Sequence, residues 1–288
     1  MSLLVREILN IGEGTLEKAG IFEFKNDARE LYAYMMKIEK SKIVLEYQSM
    51  LDDKACEEYF GLIDARASGK PLQYITEKAY FMGLEFFVNS DVLIPRQDTE
   101  VLVEEVLNIV KDNSCKDVLD LCTGSGAIGI SVANFSKKIN MVCADISQEA
   151  LKVAEKNSNE ILGGGKIKFV KGDMLEPFLK KMIKKKIDMI ISNPPYIRSE
   201  IIETLDRTVK DYEPLLALDG GEDGLDFYRR LITDAPKILR KRGYLVMEIG
   251  YDQREEIFEL LKGNTNYVDY YCLQDLGKND RVIIARVG

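Results

Sequence analysis

The chain has 288 residues, 48 acidic and 40 basic side chains, and a net charge of −8. Hydrophobic residues make up 46% and charged residues 31%, a balance typical of globular proteins and not of disordered chains. At roughly 100–200 residues per domain, this length predicts one large domain or two. No apolar run approaches the ~18 residues of a membrane helix, and the first residues do not resemble an export signal, so we expect a cytoplasmic protein.

The sequence contains no histidine. This excludes Ser–His and Cys–His catalysis, histidine-ligated metals and the usual general base near neutral pH. The five cysteines are odd in number and lack Cys-x-x-Cys spacing, which indicates reduced thiols and neither a disulfide framework nor a zinc site. We therefore expect no metal, and a chemistry that works without imidazole.

Helical periodicity covers the first seventy residues. Asp27 is predicted to cap a helix over 28–38, and a second helix is predicted over 52–68. Shorter helical segments are predicted at 3–9 and 43–47. Residues 1–70 are therefore predicted to form a small helical domain.

Short β-type runs separated by turn residues follow, at 72–75, 80–81 and 84–88. They predict a β-hairpin that links the helical domain to the rest of the chain, over 71–93. The remaining residues, 94–288, are predicted to form a second domain.

Strands and helices alternate through this second domain, which predicts an α/β fold: a doubly wound, Rossmann-like and mostly parallel sheet. The link 274–280 is too short for a helical crossover, so the last strand is predicted to be antiparallel. The predicted strands lie at 118–121, 140–144, 167–170, 187–192, 243–249, 267–273 and 281–285; the predicted helices lie at 98–110, 127–134, 147–157, 225–239 and 252–261.

A glycine-rich turn joins the first of these strands to its helix. Gly124, Gly126 and Gly129 form a G-x-G-x-x-G, and Asp145 ends the next strand 19 residues after Gly126. Glycines let the backbone approach a ligand closely, and an acidic residue at this spacing can accept both ribose hydroxyls of a nucleoside. This pattern predicts a nucleoside-type cofactor bound by Cys122, Thr123, Gly124, Ser125, Gly126 and Asp145.

Two further acidic residues bear on the kind of cofactor. Asp120 would repel a dinucleotide pyrophosphate but attract a sulfonium or ammonium group, which favours S-adenosylmethionine over NAD. Asp173 follows the third strand and could accept from an adenine amino group while Met174 packs on the ring. A plain Gly-Asp turn is the alternative interpretation of residues 172–173.

The fourth strand ends in Asn193-Pro194-Pro195-Tyr196. In an open α/β sheet, ligands bind beyond the carboxyl ends of the strands, so this turn is predicted to border the cofactor. The prolines remove two donors and leave acceptors only, and Asn193 adds a side-chain carbonyl. These groups could hold both hydrogens of a planar NH₂ group and turn its lone pair toward a methyl donor, while Tyr196 covers the group's face. A strand terminator of no chemical consequence is the alternative.

These motifs resemble those of the HemK/PrmC family of release-factor glutamine methyltransferases. Further similar segments are Ile-Pro-Arg-Gln-Asp-Thr-Glu at 94–100, Tyr-Glu-Pro at 212–214, and Ala-Leu-Asp-Gly-Gly-Glu-Asp-Gly-Leu at 217–225. Glu248-Ile249-Gly250 with Gln253 resembles a further family signature, as does Asp275-Leu276-Gly277 with Asp280-Arg281. The resemblance covers nearly the whole chain. Three positions depart from the family pattern: Cys122 and Glu77 stand where glycine is usual or frequent, and Gln97 stands where proline is usual.

The resemblance implies methyl transfer from S-adenosylmethionine, yielding S-adenosylhomocysteine, to the side-chain amide of glutamine in the Gly-Gly-Gln motif of peptide chain release factors. Asn193 and the Pro194 carbonyl would hold the amide, with Pro195 and Tyr196 shaping the pocket. The cofactor would be held by residues 122–126, Asp145, Asp173 and Met174, together with Asp120 and Asn193. The helices of 1–70 would dock on the release factor.

An amino-methyltransferase acting on nucleic acid is the alternative enzyme, and an S-adenosylmethionine-binding adapter is the non-enzyme alternative. A nucleic-acid enzyme should carry a basic footprint, and the net charge of −8 argues against one. The basic run at 180–186 is interpreted as a solvated face, with nucleic-acid contact as the alternative. We expect no stable nucleic-acid binding and no membrane association.

Overall fold

The structure, a computed structural model, describes residues 3–113, 115–180 and 187–288. The basic run interpreted above lies outside the described residues except for Lys180. The chain forms two compact units, one comprising Met1–Lys78 with Arg207–Tyr212 and the other comprising Ala79–Asp206 with Glu213–Gly288. No helix among the described residues has the length and hydrophobicity needed to cross a membrane.

The first unit is helical. Its core includes Tyr32 and Tyr59, both fully buried, with ring centroids 6.1 Å apart in an edge-to-face arrangement. Two short strands, β1 (Leu3–Leu4) and β2 (Met50–Leu51), pair antiparallel. The helices are α1 (Val5–Lys18), α2 (Phe24–Met36), α3 (Ile43–Glu46), α4 (Asp53–Ala67) and α5 (Leu72–Thr76).

Two predictions for this region are wrong. Asp27 does not cap a helix: α2 begins three residues earlier, at Phe24, and Asp27 is a buried first-turn residue that accepts from Arg66 Nε at 2.8 Å. Residues 72–75 are not a strand, because α5 covers them. The Pro71 carbonyl accepts from the amides of Tyr74 and Ile75 and so starts this helical turn. An apolar run this short does not distinguish strand from helix by its pattern.

The predicted hairpin is confirmed as β3 (Lys78–Phe81) and β4 (Leu84–Phe87), which form a two-stranded sheet. Met82 and Gly83, both at positive φ, form the two-residue turn between them. Turns of this kind match the twist of the two strands.

The second unit contains a sheet of seven described strands with flanking helices. The strands are β5 (Asp117–Leu121), β6 (Asn140–Asp145), β7 (Ile167–Lys171), β8 (Ile187–Ser192), β9 (Leu239–Glu248), β10 (Tyr267–Gln274) and β11 (Asp280–Val287). The remaining helices, in chain order, are α6 (Glu100–Asn113), α7 (Ala127–Phe135), α8 (Gln148–Leu162), α9 (Glu176–Lys180), α10 (Ser199–Ile202), α11 (Arg207–Lys210), α12 (Asp226–Ile238) and α13 (Arg254–Lys262). Of these, α11 belongs to the first unit.

The strand order is β10-β11-β9-β8-β5-β6-β7. Five neighbouring strands run parallel to one another: β9, β8, β5, β6 and β7. Strand β11 is antiparallel to both of its neighbours, β9 and β10. The predicted fold class, a mostly parallel Rossmann-like sheet with an antiparallel last strand, is confirmed. The chain moves outward from β5 in opposite directions, so a crevice opens beyond the carboxyl ends of β5 and β8, where ligands bind in folds of this type.

Candidate active site

The glycine-rich turn begins directly after β5. Cys122, Gly124 and Gly126 all adopt positive φ, at 56°, 55° and 82°, so the chain reverses sharply before α7 begins. Gly129 has a different function: a Cβ there would lie 2.5 Å from Cys143 Sγ and 2.9 Å from Asp120 Oδ2. Its lack of a side chain lets α7 pack closely on the sheet.

Asp120 lies beneath this turn and is fully buried. Its Oδ2 accepts from Thr123 Oγ1 at 2.6 Å and from the Gly129 amide at 3.1 Å. Burial raises the pKa of this carboxyl to about 7. Asp120 is not among the described residues that line the neighbouring cavity, so the structure places it as a support of the turn and not on the cavity wall.

A cavity of about 270 Å³ opens beside the turn. Asp145, at the end of β6, lies on its wall and accepts from the amides of Gly124 and Ser147, each at 2.9 Å. Burial raises the pKa of Asp145. Of the remaining predicted cofactor residues, the cavity wall includes Cys122, Thr123, Gly124, Ser125, Asp173, Met174 and Asn193, while Gly126 lies outside it.

Asp173 and Met174 follow β7, as the sequence predicts. Asp173 Oδ1 pairs with Arg230 Nη2 at 2.8 Å, and both residues line the cavity. Met174 Sδ lies 3.5 Å from Cys122 Sγ, so the two strand-end turns are in contact. Arg230 is a site residue that the sequence analysis missed, because its partner lies 57 positions away and no local motif marks the pair.

The Asn-Pro-Pro-Tyr turn follows β8, whose six residues are all buried. Ser192 Oγ donates to the Leu121 carbonyl at 3.0 Å and so joins the carboxyl ends of β8 and β5. Asn193 and Pro195 line the cavity, whereas Pro194 and Tyr196 are not among its described lining residues. The turn therefore reaches the cavity through alternate residues.

Tyr196 is half-buried, and its hydroxyl lies 3.5 Å from Glu248 Oε1 at the end of β9. Burial and the neighbouring Glu248 carboxyl raise the pKa of Tyr196. Burial also raises the pKa of Glu248, to about 7. Tyr196 is therefore neutral near pH 7, and its hydroxyl is the donor in the contact with Glu248.

Arg96 is a second site residue that the sequence analysis missed. It lines the cavity, and its Nη2 donates to both carboxylate oxygens of Glu213 at 2.6–2.7 Å. Only 1% of the Glu213 side chain is exposed. Arg96 and Glu213 are 117 residues apart in the sequence. Both lie in segments that resemble the family, 94–100 and 212–214, and this resemblance was the only sequence feature that could have indicated their contact.

Comparison with known proteins decides the family. Residues 7–76 match the family model described as the PrmC N-terminal domain, and residues 97–221 match the Methyltransferase small domain. The chain is 40% identical to the release factor glutamine methyltransferase of Clostridium acetobutylicum over 91% of each chain. It is 38% identical to that of Clostridium botulinum over 99% of each chain, and 36% identical to that of Bacillus subtilis over 98% of this chain and 97% of the other. The chain belongs to the release factor glutamine methyltransferase family.

Solved structures agree on the fold of this family member. A putative methyltransferase complexed with SAH matches 73% of this chain and 56% of its own, with a TM-score of 0.51 and 17% identity. A methyltransferase from Pyrococcus furiosus matches 72% of this chain and 90% of its own, with a TM-score of 0.50 and 17% identity. The relatives' names do not favour the nucleic-acid alternative.

Proposed function

We propose that this protein transfers a methyl group from S-adenosylmethionine to the side-chain amide nitrogen of the glutamine in the Gly-Gly-Gln motif of peptide chain release factors. One observation carries the proposal: in a member of this family, Asn193 and Pro195 open onto the same cavity as Asp145. The proposed methyl-acceptor turn and the proposed cofactor site therefore share one space.

The residues of the cavity fit the cofactor. Asp145 offers carboxylate acceptors at the position where the ribose hydroxyls of a nucleoside bind in sheets of this type. Met174 supplies an adaptable apolar surface for the adenine ring. The carboxyl of Asp120, beneath the turn, supports the loop through Thr123 and Gly129 and so acts on the cofactor indirectly.

The cofactor supplies a methyl group activated by a sulfonium. An amide nitrogen is a poor nucleophile, since its lone pair is delocalised into the carbonyl, and orientation and stabilisation of developing charge therefore matter more than a strong base. The Asn193 side-chain carbonyl and the Pro194 main-chain carbonyl would accept the two hydrogens of the NH₂ group. Bound S-adenosylmethionine would supply the methyl group and would leave as S-adenosylhomocysteine. The amide nitrogen, oriented by Asn193 and the Pro194 carbonyl, would accept the methyl group and lose one of its two protons to solvent.

The helical unit is proposed to recognise the release factor. It matches the PrmC N-terminal domain over 7–76, and several of its large apolar side chains are exposed, including Phe22 at 92% and Leu45 at 80%. Exposed apolar groups of this kind contribute to protein–protein association. Since release factors act during translation, the proposed activity takes place in the cytoplasm.

The test is transfer of labelled methyl groups to purified release factor. Wild-type enzyme is expected to label the intact substrate and not a Gln→Ala variant of the Gly-Gly-Gln motif. Asn193→Ala is expected to lower kcat about 10²–10³-fold, as loss of an oriented polar group at a reacting centre does, with S-adenosylmethionine binding retained. Asn108→Ala, which removes an exposed asparagine from α6, is the matched control. Equal labelling of the Gln→Ala substrate would contradict the assignment.

A further inference from the structure

The chain that leaves the Asn-Pro-Pro-Tyr turn lies against the segment 218–224. The Ile197 amide donates to the Leu218 carbonyl at 3.0 Å, and the Gly220 amide donates to the Ile197 carbonyl at 2.8 Å. Two main-chain hydrogen bonds thus join the end of the turn to this segment.

Two glycines of this segment permit the close approach. A Cβ on Gly220 would lie 2.7 Å from Tyr196 Cα, and a Cβ on Gly224 would lie 2.4 Å from the Tyr196 carbonyl oxygen. Backbone atoms cannot give way as the end of a flexible side chain can. The resemblance of residues 217–225 to the family therefore has a local physical reason: the segment packs directly on the backbone of Tyr196.

Gln253 joins the turn, this segment and the start of α13. It is 2% exposed. Its Oε1 accepts from the Gly250 amide at 2.9 Å, and its Nε2 donates to the carbonyls of Tyr196 at 3.0 Å and Gly224 at 3.2 Å. The acceptor role of Oε1 fixes the amide's orientation, so Nε2 faces both carbonyls.

We propose that Gln253 is a positioning residue for methyl transfer, which fixes the acceptor-binding turn by holding the Tyr196 carbonyl. The inference rests on the proposed function, because it assigns Gln253 to the same site. Asn193 and Tyr196 bracket two prolines whose φ angles are fixed, so an anchor at Tyr196 restrains the whole turn. Methyl transfer depends on the direction of the nitrogen lone pair, and a displacement of about 1 Å can cost on the order of 10² in rate.

The experiment compares Gln253→Met with wild type. Methionine keeps the length of the side chain but removes its donors and acceptor. The expected result is a 10–100-fold fall in kcat with intact release factor, while the dissociation constant for S-adenosylmethionine, measured by calorimetry, changes less than threefold. Asn264→Ala is the matched control, since Asn264 also donates a side-chain amide to a backbone carbonyl, that of Ile232 in α12 at 2.9 Å. It is expected to lose stability while keeping kcat within twofold.

Gln253→Glu provides a second test if the methionine variant does not fold. A protonated carboxyl can donate one hydrogen bond to the Tyr196 carbonyl, whereas a carboxylate repels it. The kcat of Gln253→Glu relative to wild type is therefore expected to be higher at pH 6 than at pH 8. The inference about Gln253 would be overturned if kcat were unchanged in the Gln253 variants, or if kcat fell equally in Asn264→Ala. In either case, labelling of the release factor by wild-type enzyme would still uphold the proposed function. Absence of wild-type labelling would overturn both.

Discussion

Glu77 and Cys122 are side-chain-bearing residues in left-handed backbone, at φ of 57° and 56°. Glu77 ends α5 and Cys122 opens the glycine-rich turn. A Cβ in this conformation crowds the following carbonyl oxygen, which is why glycine is usual at such positions. The two positions at which the sequence resemblance predicts a departure from glycine are therefore places of local backbone strain. Gln97, the third departure, lies in the short 3₁₀ helix Gln97–Thr99.

Glu77→Gly is expected to increase the free energy of unfolding by about 0.5–1 kcal/mol, because relief of the left-handed strain exceeds the entropic cost of glycine. The measurement is urea denaturation followed by circular dichroism. Glu57→Gly is the matched control: Glu57 is an exposed residue inside α4, where glycine lowers stability by about 0.5–1 kcal/mol. A loss of stability in both variants would show that Glu77 is not strained.

At the scale of elements, the sequence predicts well where hydrophobic periodicity is long. All seven strands of the large sheet were located, and the cap of α8 at Ser147 is confirmed by its 3.2 Å bond from the Ala150 amide. Prediction failed at α5, because its five residues cover little more than one turn. It also failed at Asp27, because nothing local distinguishes a cap from a buried partner of Arg66, 39 positions away. Such pairings are set by tertiary packing.

Asn157 illustrates how one helix supports the site from outside it. This fully buried residue of α8 accepts from the Phe87 amide at 2.7 Å and donates to the carbonyls of Phe87 at 3.0 Å and Ser125 at 2.9 Å. It thereby fixes the glycine-rich turn to the end of the hairpin. No pattern in the sequence marks it, since a lone asparagine in a helix is usually a surface residue.

Asn157→Ala is expected to lower the free energy of unfolding by about 2–4 kcal/mol, because one buried and two part-buried backbone groups lose their partner. Binding of S-adenosylmethionine is expected to weaken as well, since the Ser125 carbonyl belongs to the turn that lines the cavity. Asn159→Ala, at an exposed position of the same helix, is the control and is expected to change stability by less than about 0.5 kcal/mol. Equal effects in the two variants would contradict the supporting role of Asn157.

At the scale of the whole molecule, the sequence predicts which strand ends meet more reliably than it predicts the residues around them. Parallel strands bring their carboxyl ends to one edge, so the residues after β5, β6, β7 and β8 were expected to meet, and seven of the predicted cofactor residues besides Asp145 lie on one cavity wall. The neighbours of these residues, Arg96, Arg230 and Gln253, come from distant segments. Their contacts depend on the packed fold and leave no local pattern.

The absence of histidine makes the pH dependence of stability unusually easy to interpret, because ordinary carboxylates have finished titrating by about pH 6. Burial raises the pKa values of Asp120 and Glu248 to about 7 each, and it also raises those of Asp145 and Glu213. Glu248 also faces Arg281, Asp98, Thr99 and Tyr196. The effect of burial on the pKa of Glu248 is larger than the effect of the charged groups among these neighbours. The folded state therefore keeps protons that the unfolded state has lost. This contribution to stability is fully present below the ordinary pKa values of the two groups, 3.8 for Asp120 and 4.5 for Glu248, and is lost as the pH rises through about 7.

The wild-type free energy of unfolding is expected to decline between about pH 5 and pH 7, by up to about 1.4 kcal/mol per pH unit for each group. Glu248→Gln keeps the volume of the side chain and removes its titration, so the decline of the free energy of unfolding with pH should become shallower. Glu259→Gln controls for the loss of one negative charge, because its side chain is 72% exposed in α13, and it should leave the slope unchanged. Urea denaturation at half-unit steps from pH 5 to pH 8.5 measures the free energy of unfolding as a function of pH for wild type and for the two variants. A wild-type curve that is flat from pH 5 to pH 7, or a Glu248→Gln curve parallel to it, would show that the two carboxyls are not buried as protonated groups.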